Sequence, residues 1–153
     1  MADLDSVLRI YAHARAQMKL NGNPSQWGDA YPPEAVVLSD IQSGHSYVLE
    51  SGGAVCGVFA FFIGDDPTYG RIEGRWKNDA PYGVIHRVAS GGTARGVFPA
   101  CLQCCASRIS NLRIDTHADN AVMRHQLEKH GFEPCGVIYV ENGSPRLAYQ
   151  RTC

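Results

Sequence analysis

The sequence predicts a single domain of the α/β class (α+β), in which helices flank a central mixed β-sheet. Three observations support this prediction. Helical repeats occupy the first part of the chain, a hairpin pattern follows, and the second half alternates strand, helix, strand, helix, strand and strand. The length of 153 residues suits one domain, and an apolar fraction of 44% can fill an ordinary core. We therefore expect one domain over residues 1–153.

The amino-terminal part of the chain predicts two helices. Residues 5–20 place apolar side chains at helical intervals behind an acidic start. Residues 21–33 contain two glycines, three prolines and two aromatic residues, a composition typical of a loop. Residues 34–42 can then form a second, short helix.

A β-hairpin is expected next. Residues 47–50 and 54–63 read as strands, and Ser51-Gly52-Gly53 between them is a tight-turn signal. Residues 64–81 are polar and irregular, which indicates a long loop.

The second half of the chain alternates strands and helices. A strand over 84–89 leads through a glycine-rich turn to a helix that starts at residue 95 or later and ends at 109. The elements expected after it are a strand over 112–116, a helix over 120–130, and strands over 135–140 and 146–150.

Charge and hydropathy exclude several classes of partner. The formal charge is −1, and no run of like charges is present, so neither nucleic acid nor a membrane surface is an expected partner. The first residues lack the positive start and apolar run of a secretory signal, and no apolar stretch approaches the roughly 20 residues needed to span a bilayer. We expect a cytoplasmic protein with small or neutral partners.

Six cysteines, at 56, 101, 104, 105, 135 and 153, raise the question of a disulfide or metal site. Three of them share the predicted third helix, where their spacing makes a small apolar face. No second Cys-x-x-Cys and no paired histidines complete a zinc set, so we expect no metal and favour buried, reduced thiols. A thiol or metal protein built on Cys101, Cys104 and Cys105 is the alternative.

A small-residue turn, Ser90 to Ala94, precedes the helix start at Arg95 to Ala100. Backbone amides at a helix start point outward and suit a pyrophosphate. An ordinary strand-to-helix connection is the alternative, because glycine-rich turns are common in loops.

The segment that follows this helix carries a second pattern. Asn120 supplies a helix start, Glu128-Lys129 come near the helix end, and Gly131-Phe132 stands where a left-handed terminator is expected. This arrangement resembles the last characteristic segment of the GNAT N-acetyltransferase superfamily, in which Asn, a Tyr seven residues later, and Glu-Lys-x-Gly-Phe recur. The 95–100 segment resembles the acetyl-CoA segment of the same superfamily. Within it, VIHRVAS and RIDTHADN look like a small bacterial subgroup of uncharacterised acetyltransferases.

The resemblance implies the GNAT acyl-CoA N-acyltransferase fold, with acetyl-CoA as cosubstrate. It implies that the backbone around Val88 and Ser90 pairs with the pantetheine arm, that the 95–100 segment holds the pyrophosphate, and that Asn120 contacts the cofactor arm. The residues expected at acetyl-CoA are thus Val88, Ala89, Ser90, Arg95, Gly96, Val97, Phe98, Ala100 and Asn120.

Three features depart from the family pattern. Phe98 occupies an inner glycine position of the acetyl-CoA segment, where a side chain could crowd the phosphate. Leu127 stands where the superfamily has its thiolate acid, a tyrosine; a water or another hydroxyl such as Tyr139 could replace it, or the thiolate could leave unassisted. No first strand precedes the first helix, so either that strand is absent or the chain begins at a downstream methionine. An edge strand left unpaired favours pairing with another subunit, which predicts a homodimer.

Acetyl transfer to an amine requires removal of a proton and a donor for the thioester oxygen. His86 is the first candidate base, because strand alternation puts it on the same face as Val88 and Ser90, and imidazole titrates near neutral pH. His117, at the end of the neighbouring strand, is the second candidate. A surface or hydrogen-bonded core histidine is the alternative for each. By resemblance, the oxyanion donor is the backbone N–H of Val88.

By resemblance, the two long irregular segments, residues 21–33 and 64–81, are expected to form the walls of the acceptor site. The candidate substrate residues are Trp27, Tyr31, Glu73 and Trp76, because aromatic residues with polar edges suit a small-ligand pocket. Trp and Tyr also anchor loops, and a solvated loop is the favoured explanation for the acidic residues of the second segment.

The sequence therefore predicts an acetyl-CoA-dependent N-acetyltransferase. We expect direct transfer to a primary amine of a small molecule or peptide in a ternary complex, without a covalent enzyme intermediate. A catalytically weakened CoA-binding or interaction protein with the same fold is the alternative, which Phe98 and Leu127 favour.

Overall fold

The computed structural model describes residues 2–152. In chain order it contains α1 (Leu4–Leu20), α2 (Glu34–Gln42), β1 (Ser46–Ser51), β2 (Ala54–Ile63), a 3-10 turn (Pro67–Tyr69), β3 (Glu73–Gly74), β4 (Gly83–Ser90), α3 (Val97–Ala106), β5 (Leu112–Thr116), α4 (Ala121–Lys129), β6 (Glu133–Tyr139) and β7 (Pro145–Arg151).

The strands form one sheet in the order β1-β2-β4-β5-β7-β6-β3. Neighbouring strands are antiparallel except β4 and β5, which are parallel. A mixed sheet flanked by helices was the predicted class, and the structure confirms it. The parallel pair is joined through α3, as a parallel connection requires a crossover.

Most element positions agree with the sequence pattern, and two do not. Helix α3 covers Val97–Ala106, whereas a helix reaching 109 was expected. It ends early because the N–H groups of Arg108 and Ile109 both turn back to the carbonyl of Cys105, while Ser107 Oγ donates to the Cys104 carbonyl.

Strand β3 lies inside the segment expected to be irregular. It pairs with Val137 and Gly136 of β6 over only two residues, too few to leave a pattern in the sequence. The strands approach so closely that a Cβ built on Gly74 would lie 2.3 Å from the carbonyl oxygen of Cys135, and one on Gly136 would lie 2.2 Å from that of Glu73. Two glycines are therefore what permits this pairing.

Strand β1 is one edge of the sheet. Among residues 2–152 no strand precedes α1, and no element pairs with the outer edge of β1. A long exposed edge is normally protected in some way, so this edge is a candidate contact with another chain.

The core has two main parts, one on each face of the sheet. On β2, Phe59 and Phe61 face a cluster with α3 and α4, whereas Val58 faces a cluster with α1 and α2. Both residues that depart from the family pattern, Phe98 and Leu127, belong to the first cluster and are buried. Among the described residues no helix is long and apolar enough to cross a membrane.

Candidate active site

The parallel strands β4 and β5 separate after a short pairing. Their register includes only Gly83 with Leu112 and Val84 with Arg113, so the remainder of both strands is unpaired with each other. A cavity of about 660 Å³ opens where the strands diverge. Its walls come from β4, β5, the start of α4, the α1–α2 loop, the segment before the 3-10 turn and the β6–β7 connection.

A bulge in β4 shapes this cavity. Between β2 and β4 the register shifts so that Arg87 and Val88 have no partner on β2, and Arg87 has φ of +52°. A positive φ at a residue other than glycine is strained and persists only where the surroundings hold it. Arg87 is held by two hydrogen bonds to Asp40 of α2, at 2.7 and 2.6 Å, and one to the Tyr31 hydroxyl at 3.2 Å.

The same network determines the charge state of Arg87. Burial by itself lowers the pKa of the guanidinium, but the hydrogen bonds to Asp40 raise it above its usual value. Tyr11 of α1 also donates from its hydroxyl to the Arg87 carbonyl oxygen at 3.2 Å. Helices α1 and α2 therefore fix the backbone of β4 at the point where the cavity begins.

His86 lies on the cavity wall beside this bulge. Its Nε2 is 2.6 Å from Oδ2 of Asp66, which is buried to 8% exposure. The other oxygen of Asp66 accepts from the backbone N–H and the hydroxyl of Thr68, at 2.8 and 2.7 Å. Burial raises the pKa of the Asp66 carboxyl, but the hydrogen bonds from His86 and Thr68 outweigh burial and lower it to about 2.

A second carboxylate, Asp115 of β5, faces the other nitrogen of His86. Asp115 Oδ2 accepts a hydrogen bond from the Tyr69 hydroxyl at 2.7 Å and lies 3.9 Å from His86 Nδ1. That distance is too long for a hydrogen bond, so Nδ1 has no hydrogen-bond partner among the described residues. Burial, followed by Asp115, raises the pKa of Tyr69 well above its usual value.

Asn120 joins the cavity to the α1–α2 loop. Its Oδ1 caps α4 by accepting from the Met123 N–H at 3.0 Å, and its Nδ2 donates to Gln26 Oε1 at 3.0 Å. The Thr116 hydroxyl donates to the same Gln26 oxygen at 3.4 Å. The loop that closes one side of the cavity is thus attached to the end of β5 and the start of α4.

The start of α3 has the features of an anion cradle. Gly96 adopts a φ of +77° immediately before the helix, and no atom lies within 4 Å of the place where its Cβ would stand. The backbone N–H groups of residues 93–98 donate to no acceptor among the described residues. Free N–H groups at a helix start suit a phosphate, so the start of α3 is a candidate anion-binding site.

The side chain of Phe98 does not enter this cradle. It is 7% exposed, belongs to the α3–α4 core cluster, and packs edge-on to His130 with ring centroids 5.7 Å apart. Its position in the core argues against the expected crowding of a phosphate by Phe98.

Comparison with solved structures agrees with this geometry. A GNAT-family acetyltransferase from Streptococcus agalactiae 2603 is 30% identical, with a TM-score of 0.89 over 99% of this chain and 91% of that one. The chain belongs to the GNAT acetyltransferase family.

Less similar GNAT-fold proteins share the fold alone. A putative acetyltransferase from Staphylococcus aureus Mu50 is 23% identical over 99% of this chain and 94% of its own, with a TM-score of 0.70. A ribosomal-protein-alanine N-acetyltransferase from Brucella melitensis is 19% identical over 99% and 95%, with a TM-score of 0.63. No family model and no curated protein matches the sequence.

Several residues predicted for this GNAT site line the cavity. They are His86 and Val88 on β4, Trp27 and Tyr31 in the α1–α2 loop, and Asn120 before α4. Ala89 is buried at the end of β4, beside the α1–α2 cluster, and Ser90 accepts from the Gly92 N–H at 3.2 Å. The 95–100 segment lies at the start of α3, with Arg95 and Gly96 exposed and Val97 buried.

Three other predicted site residues lie outside the cavity lining. His117 Nδ1 accepts from the Asp119 N–H at 3.0 Å, so this nitrogen is hydrogen-bonded within the β5–α4 loop, and His117 does not line the cavity. Trp76 donates to the Tyr69 carbonyl at 2.9 Å and stacks on the Arg113 guanidinium, which makes it a loop anchor. Glu73, on β3, accepts from the Tyr139 hydroxyl at 3.0 Å at the far edge of the sheet.

Two acidic residues at the site were not predicted from the sequence. Asp66, which was expected in a solvated loop, is buried against His86, and Asp115 accepts a hydrogen bond from Tyr69, 46 positions away in sequence. The Asp66-Pro67-Thr68 triplet was the available signal, because an aspartate two residues before a threonine commonly caps a turn and becomes fixed. The partners of Asp115 left no such signal.

The cysteines contribute no metal site to this region. Cys101 and Cys105 are fully buried free thiols in the core, as predicted, and Cys104 packs partly against them. A hydrogen bond to Cys105 and burial raise the pKa of the Cys101 thiol far above its usual value. Within residues 2–152 no group of three or more His, Cys, Asp and Glu side chains could hold a metal ion. Cys153 lies outside the described residues.

Proposed function

We propose that this GNAT protein transfers an acetyl group from acetyl-CoA to a primary amine by direct attack in a ternary complex. The observation that supports this proposal is the position of His86, which lies on the wall of the cavity and is held by Asp66 at 2.6 Å. The acceptor is a small molecule or a peptide terminus, because the cavity of about 660 Å³ must also receive the acyl end of the cosubstrate.

His86 acts as the general base through Nδ1. Because Nε2 is bonded to Asp66, the carboxylate orients the ring and leaves Nδ1 as the nitrogen that accepts a proton from the acceptor's ammonium group. Asp115, 3.9 Å from Nδ1, places negative charge beside that ammonium group before the proton is removed.

The backbone of this chain binds and orients the cosubstrate. Acetyl-CoA, when bound, supplies a thioester carbonyl that an amine can attack. The N–H groups of 93–98 hold the pyrophosphate, and the open edge of β4 pairs with the pantetheine arm. The N–H of Val88, within the bulge, donates to the thioester oxygen.

Leu127 has no acidic proton to give to the leaving thiolate. The Tyr139 hydroxyl donates to Glu73, and Tyr139 does not line the cavity, which argues against it as the acid. We propose that the thiolate leaves unassisted or through a water, since thiols are already fairly acidic.

Isothermal titration with acetyl-CoA and CoA, followed by thiol release with a panel of amines, tests this proposal. We expect His86→Ala to lower kcat at least about tenfold with unchanged acetyl-CoA affinity, because only the proton acceptor is lost. His125→Ala, on the exposed face of α4, is the matched control. Unchanged turnover of His86→Ala would reject the base, and His117→Ala would then be measured.

Absence of acetyl-CoA binding up to millimolar concentration would reject the enzyme proposal as a whole. The alternative, an interaction protein with the same fold, would then be the favoured function. Burial of Phe98 in the core weakens the steric argument for that alternative.

A further inference from the structure

One buried cation in the cavity has no ion-pair partner among the described residues. Arg146, at the start of β7, is 8% exposed and lines the cavity. No carboxylate of the described residues lies within 4 Å of its guanidinium, although Arg87 in the same cavity is paired with Asp40. A guanidinium taken out of water without an ion-pair partner is unfavourable, so such a group in a cavity suggests an anionic ligand.

The hydrogen bonds of Arg146 leave part of the guanidinium free. Nη1 donates to Ser144 Oγ and to the carbonyl of Pro145, and Nη2 reaches the Gln26 carbonyl only at 3.4 Å. All of these acceptors are neutral. The Nε–H and one Nη2–H have no acceptor among residues 2–152, and Nε is not sealed from solvent. A guanidinium has five donors, and two free N–H groups suffice for a bidentate carboxylate.

Arg146 shares its surroundings with the proposed amine site. Burial lowers the pKa of Arg146, and the charge of Asp115 partly opposes this shift, so the two side chains act on each other across the cavity. Asp115 also lies 3.9 Å from His86 Nδ1. His86, Asp115 and Arg146 all line the same cavity, so a place for a proton-donating amine and a place for an anion occur within it.

We infer that the acceptor is an amino acid with a free carboxylate, which Arg146 binds while its amine faces His86 and Asp115. This inference rests on the proposed function and names its substrate class. Arg146 is a specificity-determining residue in this arrangement, and His86 remains the base.

The charges in the cavity favour a carboxylate over a phosphate. The other charged lining groups are Asp66, Asp115 and Glu141, together with Arg87, whose charge is neutralised by Asp40. One free guanidinium balances one carboxylate, whereas a phosphate dianion would face three carboxylates with a single cation.

A purely structural role for Arg146 is the competing explanation, in which it only ties β7 to the α1–α2 loop through Gln26. The two explanations differ in a measurable way. A structural tie would affect all acceptors equally, whereas a carboxylate site affects only acceptors that carry the carboxylate.

The test compares amino acids with their amides and with the corresponding decarboxylated amines, using thiol release as the assay. We expect kcat/KM of the wild type to be at least about tenfold higher for the free acids. Arg146→Gln should raise KM for the acids at least about tenfold and leave KM for the amides nearly unchanged. Arg146→Lys should give a KM for the acids between those of the wild type and Arg146→Gln. Arg75→Gln, at an exposed arginine outside the cavity, is the control.

Binding measurements separate failure of this inference from failure of the proposed function. Titration of the protein with the twenty standard amino acids, in the presence of CoA, needs no turnover. Binding to the wild type that Arg146→Gln loses would support the inference even if no acetyl transfer occurred. An unaltered acid-to-amide preference in Arg146→Gln, or no amino acid binding by the wild type, would overturn it while acetylation of other amines could stand.

Discussion

His86 Nε2 and Asp66 Oδ2 lie 2.6 Å apart, although 20 positions of sequence separate the two residues. Asp66 is itself fixed by Thr68, so the imidazole is oriented from a rigid turn instead of a mobile loop. The other ring nitrogen, Nδ1, lies 3.9 Å from Asp115 Oδ2, and both residues line the cavity between the separated strands β4 and β5. This relationship is what connects the fold to the proposed acid–base chemistry.

Asp66→Asn should impair catalysis without loss of the turn. Asparagine can still accept from Thr68, but its amide would donate toward His86, where the carboxylate accepts a hydrogen bond. We expect kcat/KM for the amine to fall at least about tenfold, with unchanged acetyl-CoA affinity by titration. Asp65→Asn, at the exposed neighbour, should retain full activity. Equal activity in both variants would exclude Asp66 as the orienting group.

The acid dependence of stability should reveal the same carboxylate. Its pKa is lowered from 3.8 to about 2 in the folded protein, so the folded state binds fewer protons than the unfolded state between these values. The stabilisation is complete above pH 3.8 and is lost as pH falls through about 2. Denaturant unfolding of the wild type and Asp66→Asn should give free energies that converge as the pH falls from 4 to 2. A difference that stayed constant over this range would contradict the lowered pKa.

Asp40→Asn should destabilise the protein because it leaves the Arg87 guanidinium buried without its countercharge. Breaking one half of a buried pair typically costs about 3 kcal/mol. We expect a loss of this order in the free energy of unfolding, measured by urea denaturation. Asp79→Asn, at an exposed position, should change stability by less than about 0.5 kcal/mol. A similarly small effect of Asp40→Asn would mean that the bulge at Arg87 is held by other contacts.

Phe98→Ala should lower stability without improving cofactor binding. The ring is buried against His130, and loss of a buried aromatic side chain costs about 3 to 5 kcal/mol. Acetyl-CoA affinity measured by titration should not increase, because the side chain faces away from the cradle. Val122→Ala, at an exposed apolar residue of α4, is the stability control. Tighter binding of acetyl-CoA by Phe98→Ala would show that the ring does crowd the phosphate.

The open edge of β1 predicts a homodimer in solution. Light scattering at micromolar concentration should give the mass of two chains, and hydrogen exchange of the β1 amides should slow as concentration rises. A monomer mass with rapid exchange along β1 at every concentration would contradict this prediction.

Local patterns in the sequence were sufficient for nearly all elements of the fold. The helix over Glu34–Gln42 and the strand over Leu112–Thr116 were predicted to the residue, because spacing and turn residues mark their ends. Strand β3 escaped prediction because two residues carry no periodicity, and α3 was predicted too long because its end depends on backbone turns after Ala106.

The candidate site was likewise predictable only where its features depend on local sequence. By itself the sequence indicated the family, and it identified the start of α3 as a candidate phosphate site and His86 as the candidate base, since each depends on neighbours in the chain. Only the tertiary structure decided that Phe98 faces the core, that Glu73 and Trp76 lie away from the cavity, and that Asp66 and Asp115 flank His86. Burial and charge pairing are properties of contacts between distant segments, and no local pattern encodes which segments meet.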